Sequence, residues 1–109
     1  MSEWKTVCHI KDLVPQTGVC AKVGAQQVAI FYCSRTSSIY ATSNYDPVGQ
    51  ANVISRGIMG STQGEPIVAS PLYKEAYSLR TGICLDNDKL KLDTFPIRIE
   101  KSLVQVQAH

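Results

Sequence analysis

The apolar residues of this sequence come in short pieces, and the longest unbroken run, Val28 to Cys33, is six residues long. A bilayer-spanning helix needs about 20 apolar residues in succession, so no membrane span is expected. The pieces are separated by turn-forming clusters at Thr17-Gly18, Gly24-Ala25, Gln63-Gly64-Glu65-Pro66, Thr81-Gly82 and Asp86-Asn87-Asp88. Val, Ile and Thr total 26 residues against 17 for Ala, Leu and Met, a bias toward side chains that suit a pleated surface. Short β-prone runs with regular punctuation read as an all-β sandwich or incomplete barrel of short antiparallel strands.

Individual strands are expected near Trp4 to Cys8, Val19 to Val23, Gln27 to Cys33 and Ile39 to Ala41, the second and third forming a hairpin about Gly24. Further on, Ile67 to Ala69, Ala76 to Leu79 and Ile83 to Leu85 are short strands, and Lys89-Leu90-Lys91-Leu92 alternates with its lysines outward, guarding an edge. Ile97 and Ile99, then Val104 and Val106, alternate with polar residues about Lys101-Ser102, which predicts a closing hairpin. Only Lys11 to Val14 and Gln50 to Arg56 suit a turn or so of helix.

A length of 109 residues predicts a single domain spanning 1–109. The formal charge of +2 is spread along the chain, too weak a bias to argue for nucleic acid or a lipid surface. The start, Met1-Ser2-Glu3-Trp4-Lys5, has no apolar stretch of the secretory kind, so a cytoplasmic address is expected. Cys8, Cys20, Cys33 and Cys84 are then free thiols packed as small hydrophobes. Separated by 12, 13 and 51 residues, they lack the spacing of a zinc or iron–sulfur site. His9 and His109 stand near opposite ends of the sequence, which leaves little for a histidine-based triad.

Nucleotide-binding, zinc-hydrolase and serine-hydrolase signatures are absent from the sequence. Two segments do share one local design. Asp46-Pro47-Val48-Gly49 has the residue preferences of a type I turn, and Ser70-Pro71-Leu72-Tyr73 repeats it with Ser in the first place. Each proline pushes the residue before it toward extended geometry, so Asp46 and Ser70 should have defined directions. Two ordinary surface turns are the simplest account. Arg56, in Ser55-Arg56-Gly57, reads first as a surface ion pair and second as an interface anchor.

Ala41-Thr42-Ser43-Asn44-Tyr45-Asp46-Pro47-Val48-Gly49 resembles the first cluster-binding loop of Rieske-type ferredoxins, in which C-x-H occupies the places of Asp46, Pro47 and Val48. Val68-Ala69-Ser70-Pro71-Leu72-Tyr73 resembles their second loop, C-P-x-H, with Ser70 and Tyr73 at the ligand positions. Tyr77 and Thr81-Gly82 also fit that family's pattern. A Rieske centre uses two thiolates on one iron and two imidazoles on the other. Asp46, Val48, Ser70 and Tyr73 supply neither, and valine has no donor atom at all. The resemblance therefore implies a Rieske-like β fold that has lost its cofactor.

One family with that combination is the small subunit of the bacterial NADH-dependent nitrite reductase, and the resemblance runs from Trp4-Lys5 to Pro96-Ile97-Arg98-Ile99. It implies a non-catalytic subunit with no cofactor of its own, partnered with a large subunit that carries FAD, iron–sulfur and siroheme groups and uses NADH. An alternative is a stand-alone electron carrier or metal protein using Asp46 with cysteines or histidines brought in by the fold. Arg56 and Tyr73 are the expected docking residues, being of types enriched at interface hot spots. If the two tips meet, the Ser70 hydroxyl is placed to donate to the Asp46 carboxylate, with Tyr73 covering Val48.

Overall fold

The computed structural model describes residues 3–107. The expectations for Met1, Ser2 and His109 therefore fall outside the described residues. Eleven strands follow in order: β1 Lys5–His9, β2 Thr17–Val23, β3 Gln26–Cys33, β4 Ser38–Ser43, β5 Tyr45–Asp46, β6 Ala51–Asn52, β7 Ile58–Thr62, β8 Glu65–Ala69, β9 Ala76–Ser78, β10 Ile97–Glu100 and β11 Leu103–Val106. Two 3-10 helices, Ile10–Asp12 and Ile54–Arg56, lie close to the two places where the sequence allowed a helical turn. The strands pair antiparallel into three three-stranded sheets, ordered β1-β11-β10, β2-β3-β4 and β7-β8-β9, with β5 and β6 forming a two-stranded ribbon.

The six-residue apolar run finds its explanation in β3. Ala29 and Phe31 face a core with Ile54, Val68, Tyr77, Leu79, Cys84 and Leu92. Val28 and Ile30, on the opposite face, join Ala41, Phe95, Val104 and Val106. A strand buried on both faces has no solvent side to mark with polar residues, so its sequence is continuously apolar. Val28, Ala29, Ile30 and Phe31 are fully buried, and each large side chain among them contributes about 1.5–3 kcal/mol.

Gly18 is part of β2 instead of the turn expected at Thr17-Gly18. It pairs with Phe31, and a Cβ there would stand 2.7 Å from Phe31 Cε1 and 2.6 Å from the Ser55 carbonyl oxygen. The missing side chain lets both the aromatic ring and the Ile54–Arg56 helix approach the sheet. Gly24, at φ +62°, makes the β2–β3 hairpin turn as expected. Ile83 to Leu85 and Lys89 to Leu92 form only isolated bridges, Tyr77 to Cys84 and Ile83 to Lys91. Leu92 is still buried and Lys89 and Lys91 exposed. In the closing hairpin Val104 and Val106 are buried, but Ile99 is half exposed. All four cysteines are free; Cys33 and Cys84 are buried, whereas Cys20 is exposed and is no packed hydrophobe.

Candidate functional site: two proline-fixed tips

β5 and β6 pair through Tyr45–Asn52 and Asp46–Ala51, which leaves 47–50 as the connecting tip. Pro47 restricts the backbone. Asp46 Oδ1 accepts from the amides of Val48 at 2.9 Å and Gly49 at 3.1 Å, and the Asp46 carbonyl accepts from the Gln50 amide at 2.7 Å. β8 and β9, paired at Ala69–Ala76, carry the second tip. Ser70 Oγ accepts from the Leu72 amide at 3.2 Å, its carbonyl accepts from Lys74 N at 3.0 Å, and its amide donates to the Glu75 carbonyl at 2.9 Å. Gln50 and Lys74 occupy the left-handed region at φ 55° and 65°. Each tip is thus closed one residue later than the type I turn expected, by a bond from the fifth residue back to the first.

The two tips meet. The Ser70 hydroxyl donates to Asp46 Oδ2, and both residues are buried. Leu72 closes the gap beside that bond, since a Cβ on Gly49 would stand 2.4 Å from Leu72 Cδ1. The apolar closure beside the bond comes from Leu72 over Gly49, and Tyr73 is 63% exposed. Both oxygens of the Asp46 carboxylate therefore accept hydrogen bonds from within the junction.

Behind the tips, Tyr77 is fully buried in β9, and its hydroxyl has no hydrogen-bond partner among the described residues. Burial, then the nearby acidic groups of Asp46, Cys84 and Glu75, pushes its pKa up to about 12. Asn44 anchors the base of the first tip: its amide nitrogen donates to Gln27 Oε1 at 3.0 Å and the Asn52 carbonyl at 3.1 Å, and its oxygen accepts from the Ser55 amide at 2.7 Å. The Asn44 carbonyl also receives the Ile54 amide at 3.0 Å. One side chain therefore ties β3, the tip ribbon and the Ile54–Arg56 helix together. In the sequence Asn44 stands at the end of a polar stretch, Thr42-Ser43-Asn44, and carries no local mark of this role.

Arg56 lies at the end of that helix and is exposed. The ion pairs among the described residues are Lys5–Glu3 and Arg80–Glu65, so the ion-pair reading of Arg56 gives way. Gly57 brings the segment against the base of the second tip, where a Cβ would stand 2.3 Å from the Ala69 carbonyl oxygen. Ile58 pairs with Ala69 and is 75% exposed, and Leu72 is 47% exposed. Two apolar side chains, Ile58 and Leu72, thus join Arg56 and Tyr73 around the tips. Neither was singled out from the sequence, because exposure of an isolated Ile or Leu leaves no local mark.

A model of the Rieske-like [2Fe-2S] domain matches residues 3–107. Ferredoxin of carbazole 1,9a-dioxygenase from Nocardioides aromaticivorans superposes with a TM-score of 0.82 at 19% identity over 99% of this chain and all of that one, a likeness of fold. The nitrite reductase (NADH) small subunit of Escherichia coli K12 is 40% identical over 98% of this chain and 99% of its own length. This chain belongs to the nitrite reductase small-subunit family. The solution structure of the E. coli family member, NirD, has a TM-score of 0.89 at 40% identity, covering 99% of this chain and 98% of that one. A large subunit of nitrite reductase [NAD(P)H] from Klebsiella oxytoca also matches, at 37% identity over 94% of this chain and 11% of its own length.

The Rieske-like domain model implies a [2Fe-2S] cluster, and the donor set at the tips of this family member does not fit one. Val48 has no ligating atom, both Asp46 oxygens are engaged by Val48, Gly49 and Ser70, and Leu72 fills the space against Gly49. Iron–sulfur clusters are held by thiolates, with imidazoles replacing two in a Rieske centre. Cys8, Cys20, Cys33, Cys84 and His9 all lie outside the tips. Among the described residues no three His, Cys, Asp or Glu side chains come together as a metal site.

Proposed function

We propose that this chain is the small subunit of an assimilatory or detoxifying NADH-dependent nitrite reductase, which converts nitrite to ammonium in the cytoplasm. It acts as a single non-catalytic Rieske-like domain over 1–109. Its partner is the large subunit, which carries FAD, iron–sulfur and siroheme groups and takes electrons from NADH. The observation that carries this reading is the near full-length match to curated small subunits, at 40% identity. The mutual engagement of Asp46 and Ser70 supports the non-catalytic role, because both carboxylate oxygens and the hydroxyl are taken up in holding the two tips. That a Klebsiella oxytoca large subunit contains a stretch resembling nearly the whole of this chain supports a place beside the large subunit.

Docking is assigned to the tip end, with Arg56 and Tyr73 as anchors and Ile58 and Leu72 beside them. Arg and Tyr are among the residue types enriched at interface hot spots, and both side chains are exposed here. No helix among the described residues is long and apolar enough to cross a membrane. The test is a pull-down from nitrite-grown cells followed by an optical spectrum. A copurifying flavin and siroheme protein with a colourless small subunit is the expected result. An isolated chain that carries stoichiometric iron and thiolate-to-iron absorption would overturn it in favour of an electron carrier.

A further inference from the structure

We infer that Asp46 and Ser70 form a cross-brace that fixes the relative position of the two tips without any metal. They are positioning residues, and the brace has three parts. Asp46 Oδ1 holds its own loop through the Val48 and Gly49 amides at 2.9 and 3.1 Å. Ser70 Oγ holds its own loop through the Leu72 amide at 3.2 Å. The remaining Asp46 oxygen accepts a hydrogen bond from the Ser70 hydroxyl, so the two internal clamps are one connected unit. Leu72 against Gly49 fills the space alongside. Both braced side chains are buried, so water does not compete for the bond, and losing either partner leaves the other unsatisfied. In Rieske ferredoxins a cluster ligated from both loops makes the corresponding link; here the link is made of hydrogen bonds between the first residues of the two loops.

The alternative is that each side chain merely caps its own turn. Amide hydrogen exchange on the full chain separates the two, because the brace transmits a loss across the junction. In Ser70→Ala the Val48 and Gly49 amides, which Ser70 does not touch, are expected to exchange about tenfold faster or more, together with Leu72. Ser70→Thr keeps the hydroxyl and should restore slow exchange, and Phe31 in β3 should be unaffected in both variants. A Ser70→Ala protein in which only the Leu72 side of the junction speeds up would overturn the brace. Should Ser70→Ala not fold, a cycle of Asp46→Asn and Ser70→Cys decides, since one change removes the carboxylate charge and the other replaces the hydroxyl by a weak donor: coupling greater than about twofold in the unfolding constant supports the brace, and additivity overturns it. On the proposed docking role, Ser70→Ala also weakens association with the large subunit and Ser70→Thr restores it. Lost amide protection with unchanged association would leave the brace standing and overturn only the docking placement.

Discussion

Tyr77 shows how much one buried hydroxyl can reveal. Its ring fills the core behind the tips, but its oxygen is hydrogen-bonded to nothing among the described residues. Removing such a group relieves a desolvation cost, so Tyr77→Phe is expected to be neutral or stabilising by up to ~1 kcal/mol at pH 7, read by urea unfolding. A loss well above that would show that the hydroxyl is bonded. The pH dependence has a definite sign. The folded-state pKa of about 12 exceeds the ordinary value of 10, so the folded chain retains the proton that the unfolded chain releases. Ionisation of Tyr77 therefore costs the fold nothing below pH 10, and stability falls by about 1.4 kcal/mol per pH unit between roughly 10 and 12 as the unfolded chain loses the proton. Tyr77→Phe should flatten that stretch of the stability profile.

What was legible at this scale was chemical identity. Val48 lacks a donor wherever it lies, and Asp46 and Ser70 could be named as equivalent first residues from the prolines that follow them. The contacts of Leu72 and Asn44 depend on which loops the fold brings together, and no local pattern encodes that.

Among the elements, β8 and β9 are joined by a second carboxylate junction. The Ser78 hydroxyl donates to Glu65 Oε2, and Arg80 Nη2 donates to Oε1 at 2.7 Å. The Ser78 bond, then the Arg80 charge, holds the Glu65 carboxyl below its ordinary value of 4.5. The folded state therefore keeps Glu65 charged to lower pH than the unfolded chain does. The resulting support is present above about pH 4.5 and is lost as the pH falls below it. Ser78→Ala should move the acid-unfolding midpoint, followed by circular dichroism, to higher pH; an unchanged midpoint would show that the junction does not stabilise the sheet.

The strands read correctly were those whose apolar side chains alternate clearly, such as β2 and β11, or run without a break, as in β3. β7 went unnoticed because its apolar residues are few and its pattern is weak: Ile58 is exposed, Met59 packs inward and Gly60 has no side chain. The segment Lys89 to Leu92 shows the converse case. Its alternation is real, but Leu92 is seated by the bond from its amide to the Gly82 carbonyl at 2.8 Å, without an extended ladder.

For the whole molecule, β3 is the wall shared by both cores, so damage on one side should be felt on the other. Phe31→Ala is expected to cost about 3–5 kcal/mol, a large part of a typical ~5–15 kcal/mol total. Val104→Ala, in the other core, should lower the same cooperative transition, and near- and far-ultraviolet circular dichroism should remain coincident in both variants. Two separable transitions would contradict the single-domain reading. The sequence carried the class of fold because turn chemistry and β-branching are local. The division of the apolar residues between two cores follows from topology and could not be read from a run that is apolar throughout.

On the proposed role, this chain influences nitrite reduction only by contact with the large subunit, through tips whose donor set does not fit a cluster. The most direct measurement titrates it into purified, cofactor-loaded large subunit while nitrite-dependent NADH oxidation is followed. A saturable rise in rate or in lifetime of activity is expected, with no iron or sulfide added to the small subunit. That response should be lost in the folded Arg56→Ala, Tyr73→Ala double variant. A large subunit with full and lasting activity alone, indifferent to the added chain, would contradict it.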